Sequence, residues 1–200
     1  GFIIALHPSV PAKSVRELVA LAQAQPGKLN YASTGTGGIT HLSTEHFLLT
    51  AGIRMTHVPY KGTAPALQDV VAGHIHFMFS DLPPATALIQ SGKLRALGVT
   101  TAQRVNAAPD LPPLAEAGLP AVDVSPWQGI LAPAGTPKAI VDRLYREAVK
   151  ALKMPDVVER LGTQGGNELV GSSPEACGTY IKSEIAKWAK VVKASGVKAE

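Results

Sequence analysis

Residues 30–42 read "NYASTGTGGITHL": three glycines, one serine and three threonines set between an apolar run and the first turn of a predicted helix. A flexible, hydroxyl-bearing turn between a strand and a helix N-terminus aims several backbone N–H groups at one point, which suits an anion. Three readings follow from the residues: a nucleotide phosphate, a substrate carboxylate, or a plain βα turn whose glycines serve geometry alone. A dinucleotide fingerprint needs G-x-G-x-x-G; Gly35 and Gly37 fit, but Thr40 holds the third glycine's place, and "IRMTHVPY" (53–60) lacks the acidic residue that should follow. A P-loop needs Gly-Lys-Ser/Thr, where this chain has Gly38, Ile39, Thr40 and His41. Both patterns disfavour a nucleotide. A small carboxylate needs fewer donors, available from the amides of Gly35, Gly37 and Gly38 and the hydroxyls of Ser33, Thr34, Thr36 and Thr40. The helix dipole contributes only about 0.3–1 kcal/mol, so several of these must converge.

Other candidates are sparser. Tyr60, Lys61 and Asp81 fall just past the ends of two predicted strands, the edge where ligands collect in an open parallel sheet. Lys61 could pair with an acidic ligand, and Asp81 could accept from one or cap the helix behind it. His41 could donate to a ligand or orient its own turn. His74 and His76, two apart on a predicted strand, have metal-site spacing, but no Cys, Asp or Glu nearby completes a ligand set, so ordinary histidines and no metal are expected. There is no G-x-S-x-G elbow, no H-E-x-x-H and no close carboxylate pair. The residues argue for holding a molecule rather than transforming it. Cys177, the single cysteine, shares a helical face with Ile181, Ile185, Trp188 and Val192, which predicts core filler rather than a nucleophile.

The elements that must position these residues alternate. "FIIAL" (2–6) is strand-like. Ser14 and Glu17 make a capping box for a helix with Val15, Leu18, Val19 and Ala22 on one face, closed by Pro26 and Gly27. Strands are predicted over 29–32, 53–58, 74–79 and 94–100. Helices are predicted over 40–50 (Gly52 beyond its end), 64–72 (capped by Thr63) and 83–90. This rhythm predicts an α/β domain with a largely parallel sheet. It breaks into a proline-rich loop over 105–126. "WQGILAP" (127–133) then reads as a strand, followed by an amphipathic helix bearing Ile140, Leu144, Ala148 and Leu152, a short helix after Pro155, a strand near "NELV" and a long helix from Pro174.

Composition bounds the reading. The 200 residues suffice for one large or two small domains, and 46% hydrophobic with 17% charged is ordinary for a globular chain. No apolar run approaches the ~18 residues of a membrane span. A net charge of +4 permits anionic ligands, but the 19 basic residues are scattered and only 5% are aromatic, so no nucleic-acid partner is expected. The opening "GFIIALHPSVPAKS" has neither the basic region nor the cleavage site of a signal peptide. It reads as a buried strand entering a loop, and a further piece upstream is expected.

In order and spacing, "LHPSVPAKSVRELVALAQAQPGKLNYASTGTGGITHLSTEHF", "THVPYKGTAPALQDVVAGHIHFMFSD", "SGKLRALGVTT", "DLPPLAEAGLP" and "WQGILAPAGTPKAIVDRL" resemble the Bug-type solute receptors of tripartite tricarboxylate transporters, the TctC-like family. The resemblance implies a type II periplasmic-binding-protein fold, whose two α/β lobes are joined by crossover strands and close on a ligand. Residues 1–7 would be a crossover strand. Residues 8–125 would be the second lobe with the ligand loop. Residues 126–200 would be the return strand and helices that pack on a first lobe lying, with its signal peptide, outside this chain. It further implies a periplasmic receptor, without enzymatic activity or cofactor, that binds a small organic carboxylate (a di- or tricarboxylate, an acidic amino acid or an aromatic acid) and delivers it to the transporter's membrane components. The ligand would be gripped at residues 33–41, with Tyr60, Lys61 and Asp81 in support. An effector-sensing domain of a transcriptional regulator shares the fold and is the alternative. Without the first lobe, the apolar faces carrying Ile140, Leu144, Ile185 and Trp188 would need another partner, so self-association is expected.

Overall fold

The computed structural model describes residues 1–165 and 167–198. The chain divides into two compact units: Gly1–Pro126 with the chain from Lys190 onward, and Trp127–Ala189.

The first unit is built on five strands, β1 (Ile3–Leu6), β2 (Asn30–Ser33), β3 (Thr56–Pro59), β4 (Phe77–Ser80) and β5 (Arg95–Val99), in the order β3-β2-β4-β1-β5. Helices α1 (Val15–Ala24), α2 (Ile39–Ala51), α3 (Thr63–Val71) and α4 (Leu82–Gln90) alternate with them. β2 is parallel to β3 and β4, whereas β1 lies antiparallel between β4 and β5. Four strands therefore run one way, in keeping with the expected largely parallel sheet, and β1 alone runs the other, which the alternation did not predict. Four consecutive apolar residues look the same in either direction; only the pairing of Ile3 with Ser80 and Leu6 with Phe77 decides.

Alternation along the strands sends side chains to opposite faces. Ile3, Ala5, Ala32 and Met78 join Ala66, Leu67 and Val70 of α3 and Ala85 of α4 in one apolar cluster. On the other face Phe77 and Phe79 meet Phe47 of α2, with ring centroids 6.5 and 5.8 Å apart. The sheet is thus covered on both sides, as buried parallel strands require.

Local signals act where expected, with small shifts. Ser14 Oγ accepts from the Glu17 amide at 3.2 Å and starts α1, but the Glu17 carboxylate accepts from the Lys13 amide (2.7 Å), one residue ahead of the usual capping-box donor. Gly62, not Thr63, is the N-cap of α3; Thr63 is its first helical residue. Asp81 holds the N-cap position of α4, yet its side chain makes no capping hydrogen bond.

Beyond β5 the segment Leu111–Pro113 runs beside the sheet: Val99 bridges Pro113 in parallel and its amide donates to the Pro112 carbonyl at 2.9 Å. Gly98 makes this possible, since a Cβ there would lie 2.7 Å from that oxygen and 3.3 Å from Val15 Cγ2. Gly98→Ala is therefore expected to cost about 1–3 kcal/mol, the usual penalty for overpacking a filled site. Urea denaturation would measure it, and an unchanged midpoint would show that the 111–113 segment moves away freely.

The second unit contains α5 (Lys138–Ala151) and α6 (Pro155–Val157), which continues as a π-helical segment (Val158–Gln164); α7 (Pro174–Ser195) closes the chain. The strands expected over 127–133 and near "NELV" do not form. A strand needs a hydrogen-bonding neighbour, and among the described residues every paired strand lies before residue 100. Ile130 and Leu131 are accordingly 88% and 73% exposed. No residue of α5 is buried, and Ile140, Leu144 and Ile185 are each half exposed or more. Cys177 is only partly buried, not the core filler its helical spacing suggests.

Candidate functional site

β2, β3 and β4 are neighbours running the same way, so their C-terminal ends share one edge. The loop after β2 begins beside the turn after β3: Ser33 pairs with Pro59, and the Tyr60 amide donates to the Ser33 carbonyl at 3.0 Å. Asp81 follows β4 at this same edge. The topology thus gathers Ser33–His41, Tyr60, Lys61 and Asp81, with Lys61 and Asp81 exposed.

The loop is held mainly by its own polar groups. Ser33 is fully buried; its Oγ accepts from the Gly35 amide at 3.2 Å. Thr40 Oγ1 accepts from the Thr34 amide, and the two threonine hydroxyls are 2.9 Å apart. The Gly37 amide donates to His41 Nδ1 at 3.0 Å, and the Gly38 amide to the Gly35 carbonyl at 3.2 Å. The hydroxyls of Ser33, Thr34 and Thr40 therefore build the turn from within. Among the described residues, the amides of Thr36, Ile39, Thr40 and His41 find no protein acceptor. Three of them are the first-turn amides of α2, whose N-cap Gly38 supplies no side chain to satisfy them. They are donors available to an anion, and the helix dipole favours negative charge there.

Beneath the loop lies a cluster that sequence reading missed in part. Tyr31 stands opposite His57 in the β2–β3 register, and their rings stack with centroids 5.0 Å apart. His41 stacks on the other side of the cluster against His57, at 3.7 Å and 9° between planes. The Tyr31 hydroxyl donates to Glu45 Oε1, which also lies 3.9 Å from His41 Nε2. His57 Nε2 and Ser33 Oγ are 2.6 Å apart. Two signals were legible: His41 and Glu45 four apart on one helix, and Tyr31 and Ser33 two apart on one strand. His57 joins them only through strand register. Burial, reinforced by neighbouring His41, lowers the His57 pKa to about 4. Burial also lowers that of His41 against the opposing pull of Glu45. Burial and the bond to Glu45 raise Tyr31. Tyr31, His41 and His57 are thus all held in their uncharged forms at neutral pH.

The remaining candidates separate. The Tyr60 hydroxyl donates to Asp69 Oδ2 of α3 and is pushed up to about 12 by burial and that bond, so it is engaged with the helix. His74 and His76 precede β4 rather than lying on it. His74 sits 3.4 Å from Asp69 Oδ1, and His76 Nδ1 accepts from the Asn30 amide at 3.0 Å. They work apart, and no group of three metal-ligating side chains occurs among the described residues.

Residues 1–197 match the profile of the tripartite tricarboxylate transporter family receptor, TctC. The chain belongs to this receptor family. It is 40% identical over 188 residues to the protein of the tcbD-tcbE intergenic region of a Pseudomonas species, and 34% identical over 196 residues to the protein BugT of Bordetella pertussis. These matches take in 92% and 98% of the chain but 56% and 60% of the relatives, so the chain spans little more than half their length. Among solved structures it resembles R. palustris Rpa4515 with adipate (TM-score 0.85, 36% identity, 98% of this chain and 65% of that one). It also resembles the periplasmic binding protein BugD (0.83, 32%, 100% and 67%) and MatC from Rhodopseudomonas palustris with bound malate (0.80, 31%, 96% and 66%). The α/β fold of this TctC-family chain is thus that of periplasmic binding proteins. No helix among its described residues is long and apolar enough to cross a membrane.

Proposed function

We propose that this TctC-family chain is the part of a periplasmic receptor that grips one end of a small organic carboxylate, for delivery to the membrane components of a tripartite tricarboxylate transporter. It acts by binding alone, without catalysis or cofactor. The observation that carries the reading is the set of amides at Thr36, Ile39, Thr40 and His41, without protein acceptors, at the sheet edge that Lys61 and Asp81 share. Two protonless oxygens of a carboxylate match such donors, and Lys61 adds opposite charge. That related structures hold adipate and malate supports a dicarboxylate within this class. A ligand reaching both lobes in the closed state shifts the population toward closure. This chain would supply one side of that grip, so binding by it alone is weak.

The test is NMR titration of the chain with adipate, malate, glutamate and benzoate at millimolar concentration. One acid class is expected to move the amide signals of Thr36, Ile39, Thr40 and His41 together. Shifts centred elsewhere, or none with any acid, would remove the loop as the binding site.

The half-exposed Ile140, Leu144 and Ile185 bear on partners. Apolar faces of this kind are covered in stable assemblies, and the chain is expected to self-associate. Light scattering should give a dimer or larger species at micromolar concentration; a strict monomer would refute this.

A further inference from the structure

The imidazoles of His41 and His57 each tie one part of the ligand loop to the body of the first unit. His41 Nδ1 receives the Gly37 N–H at 3.0 Å, and His57 Nε2 lies 2.6 Å from Ser33 Oγ, which in turn receives the Gly35 amide at 3.2 Å. The rings are stacked face to face at 3.7 Å, so the two tethers are one mechanical unit. We propose that His41 and His57 are the positioning residues of the 33–41 loop, and that they hold it in its binding form only as a neutral stacked pair. The inference deepens the carboxylate-receptor reading and rests on it for what the loop holds.

The chemistry is specific. An Nδ1 that accepts from a backbone amide must carry a lone pair, so His41 is the Nε2–H tautomer, with that proton on the side of Glu45, 3.9 Å away. Protonating Nδ1 replaces the acceptor with a second donor facing the Gly37 N–H, and that bond must break. Two imidazolium rings cannot share a 3.7 Å stack without strong repulsion, so charging either ring opposes charging the other. The titratable groups facing the pair are Tyr31 from β2 and Glu45 from α2; β4 contributes the apolar Phe77, which touches Tyr31. Glu45 is fixed by the Tyr31 hydroxyl, and its charge favours the cation at His41 while burial opposes it. The folded pKa of His57 is about 4, below its ordinary 6.5, so the unfolded chain binds protons first. The pair's contribution is therefore complete above pH 6.5 and is lost as the pH falls from there toward 4.

Because a carboxylic acid probe itself titrates in this window, the primary readout is the free protein. An NMR pH titration should find His41 as the Nε2–H tautomer at pH 7.5, with His41 and His57 titrating below the ordinary imidazole value of 6.5. The Gly37 and Ser33 amide signals should move with the midpoint of the pair. Glu45→Gln, which keeps an acceptor for Tyr31 but removes the charge, should lower the His41 midpoint. His57→Phe, which keeps a ring in the stack, should shift the Ser33 and Gly35 signals, because it removes the nitrogen 2.6 Å from Ser33 Oγ. An Nδ1–H tautomer at His41, or Gly37 signals indifferent to its titration, would overturn the proposal. So would Ser33 and Gly35 signals left unmoved in His57→Phe, since a ring that only fills the stack predicts that. Adding the same four acids at pH 7.5 separates the two readings. If the Gly37–His41 coupling holds but neither adipate nor malate, glutamate or benzoate moves a loop amide, the receptor reading falls and the positioning role stands; if one of these acids binds at the loop without that coupling, the reverse is true.

Discussion

Replacing Phe77 with alanine is expected to destabilise the first unit by about 3–5 kcal/mol, the range for removing a fully buried aromatic ring. The ring has no exposure and is surrounded by Tyr31, Phe47 and Phe79, with centroids 5.8, 6.5 and 6.2 Å away. Two of these neighbours are on strands whose positions are set by ladder hydrogen bonds, so they cannot close over the space left behind. Total stabilities are typically about 5–15 kcal/mol, so the loss is a third or more of what holds the unit together. It should appear as a large fall in the urea midpoint at unchanged slope. A cost below about 1 kcal/mol would show that Phe47 and Phe79 collapse into the void. The effect should also reach the site. Phe77 supports Tyr31, and Tyr31 supports the His57 ring, so the variant should show disturbed Ser33 and Gly35 amide signals at temperatures where the sheet is still folded.

The second large effect is expected at Gly37, whose φ of 74° lies in the left-handed region. A β-branched residue there is strained by about 1–3 kcal/mol, and Gly37→Val should lower the melting temperature accordingly. The same residue donates its amide to His41, and its turn sets the direction of the amides at Ile39, Thr40 and His41. If the backbone relieves the strain by leaving this conformation, the donors no longer converge. The response of the loop amides to adipate or malate should then weaken ~10-fold or more, equivalent to about 1.4 kcal/mol or above. NMR titration of the variant beside the parent chain measures this. Unchanged binding in a folded variant would mean that the anion is held elsewhere along the edge, and Lys61 would be examined next. The fold itself should survive, because Gly37 is outside every strand and helix.

What could be read from the sequence was whatever depends on neighbours along the chain. Helix α2 starts at the glycine-rich turn and ends with Gly52 in a left-handed C-cap, as its residues require. The Ser14 cap, the start of α4 after Asp81 and the α/β alternation are similarly local. The loop 33–41 was legible as a donor-rich turn because glycine, serine and threonine have few other reasons to cluster between a strand and a helix. Its division of labour was not legible. Nothing in "STGTGGITH" says that the hydroxyls of Ser33, Thr34 and Thr40 face inward while four amides are left over.

The tertiary structure decided whatever depends on pairing. "FIIAL" announced a strand, but its direction follows from hydrogen bonds to residues some 75 positions later. "WQGILAP" has the composition of a strand and forms none, because composition is local and a strand exists only with a neighbour. His57 looked like one more residue of an apolar run. It enters the site because parallel pairing places it opposite Tyr31 and under His41, in an imidazole stack that residues 16 positions apart could not advertise. The sequence by itself thus determined the helices, the α/β alternation of the first unit and the loop that offers donors. The register of β2 with β3, a long-range choice made by burying Tyr31 and its aromatic neighbours, determined what holds that loop in place.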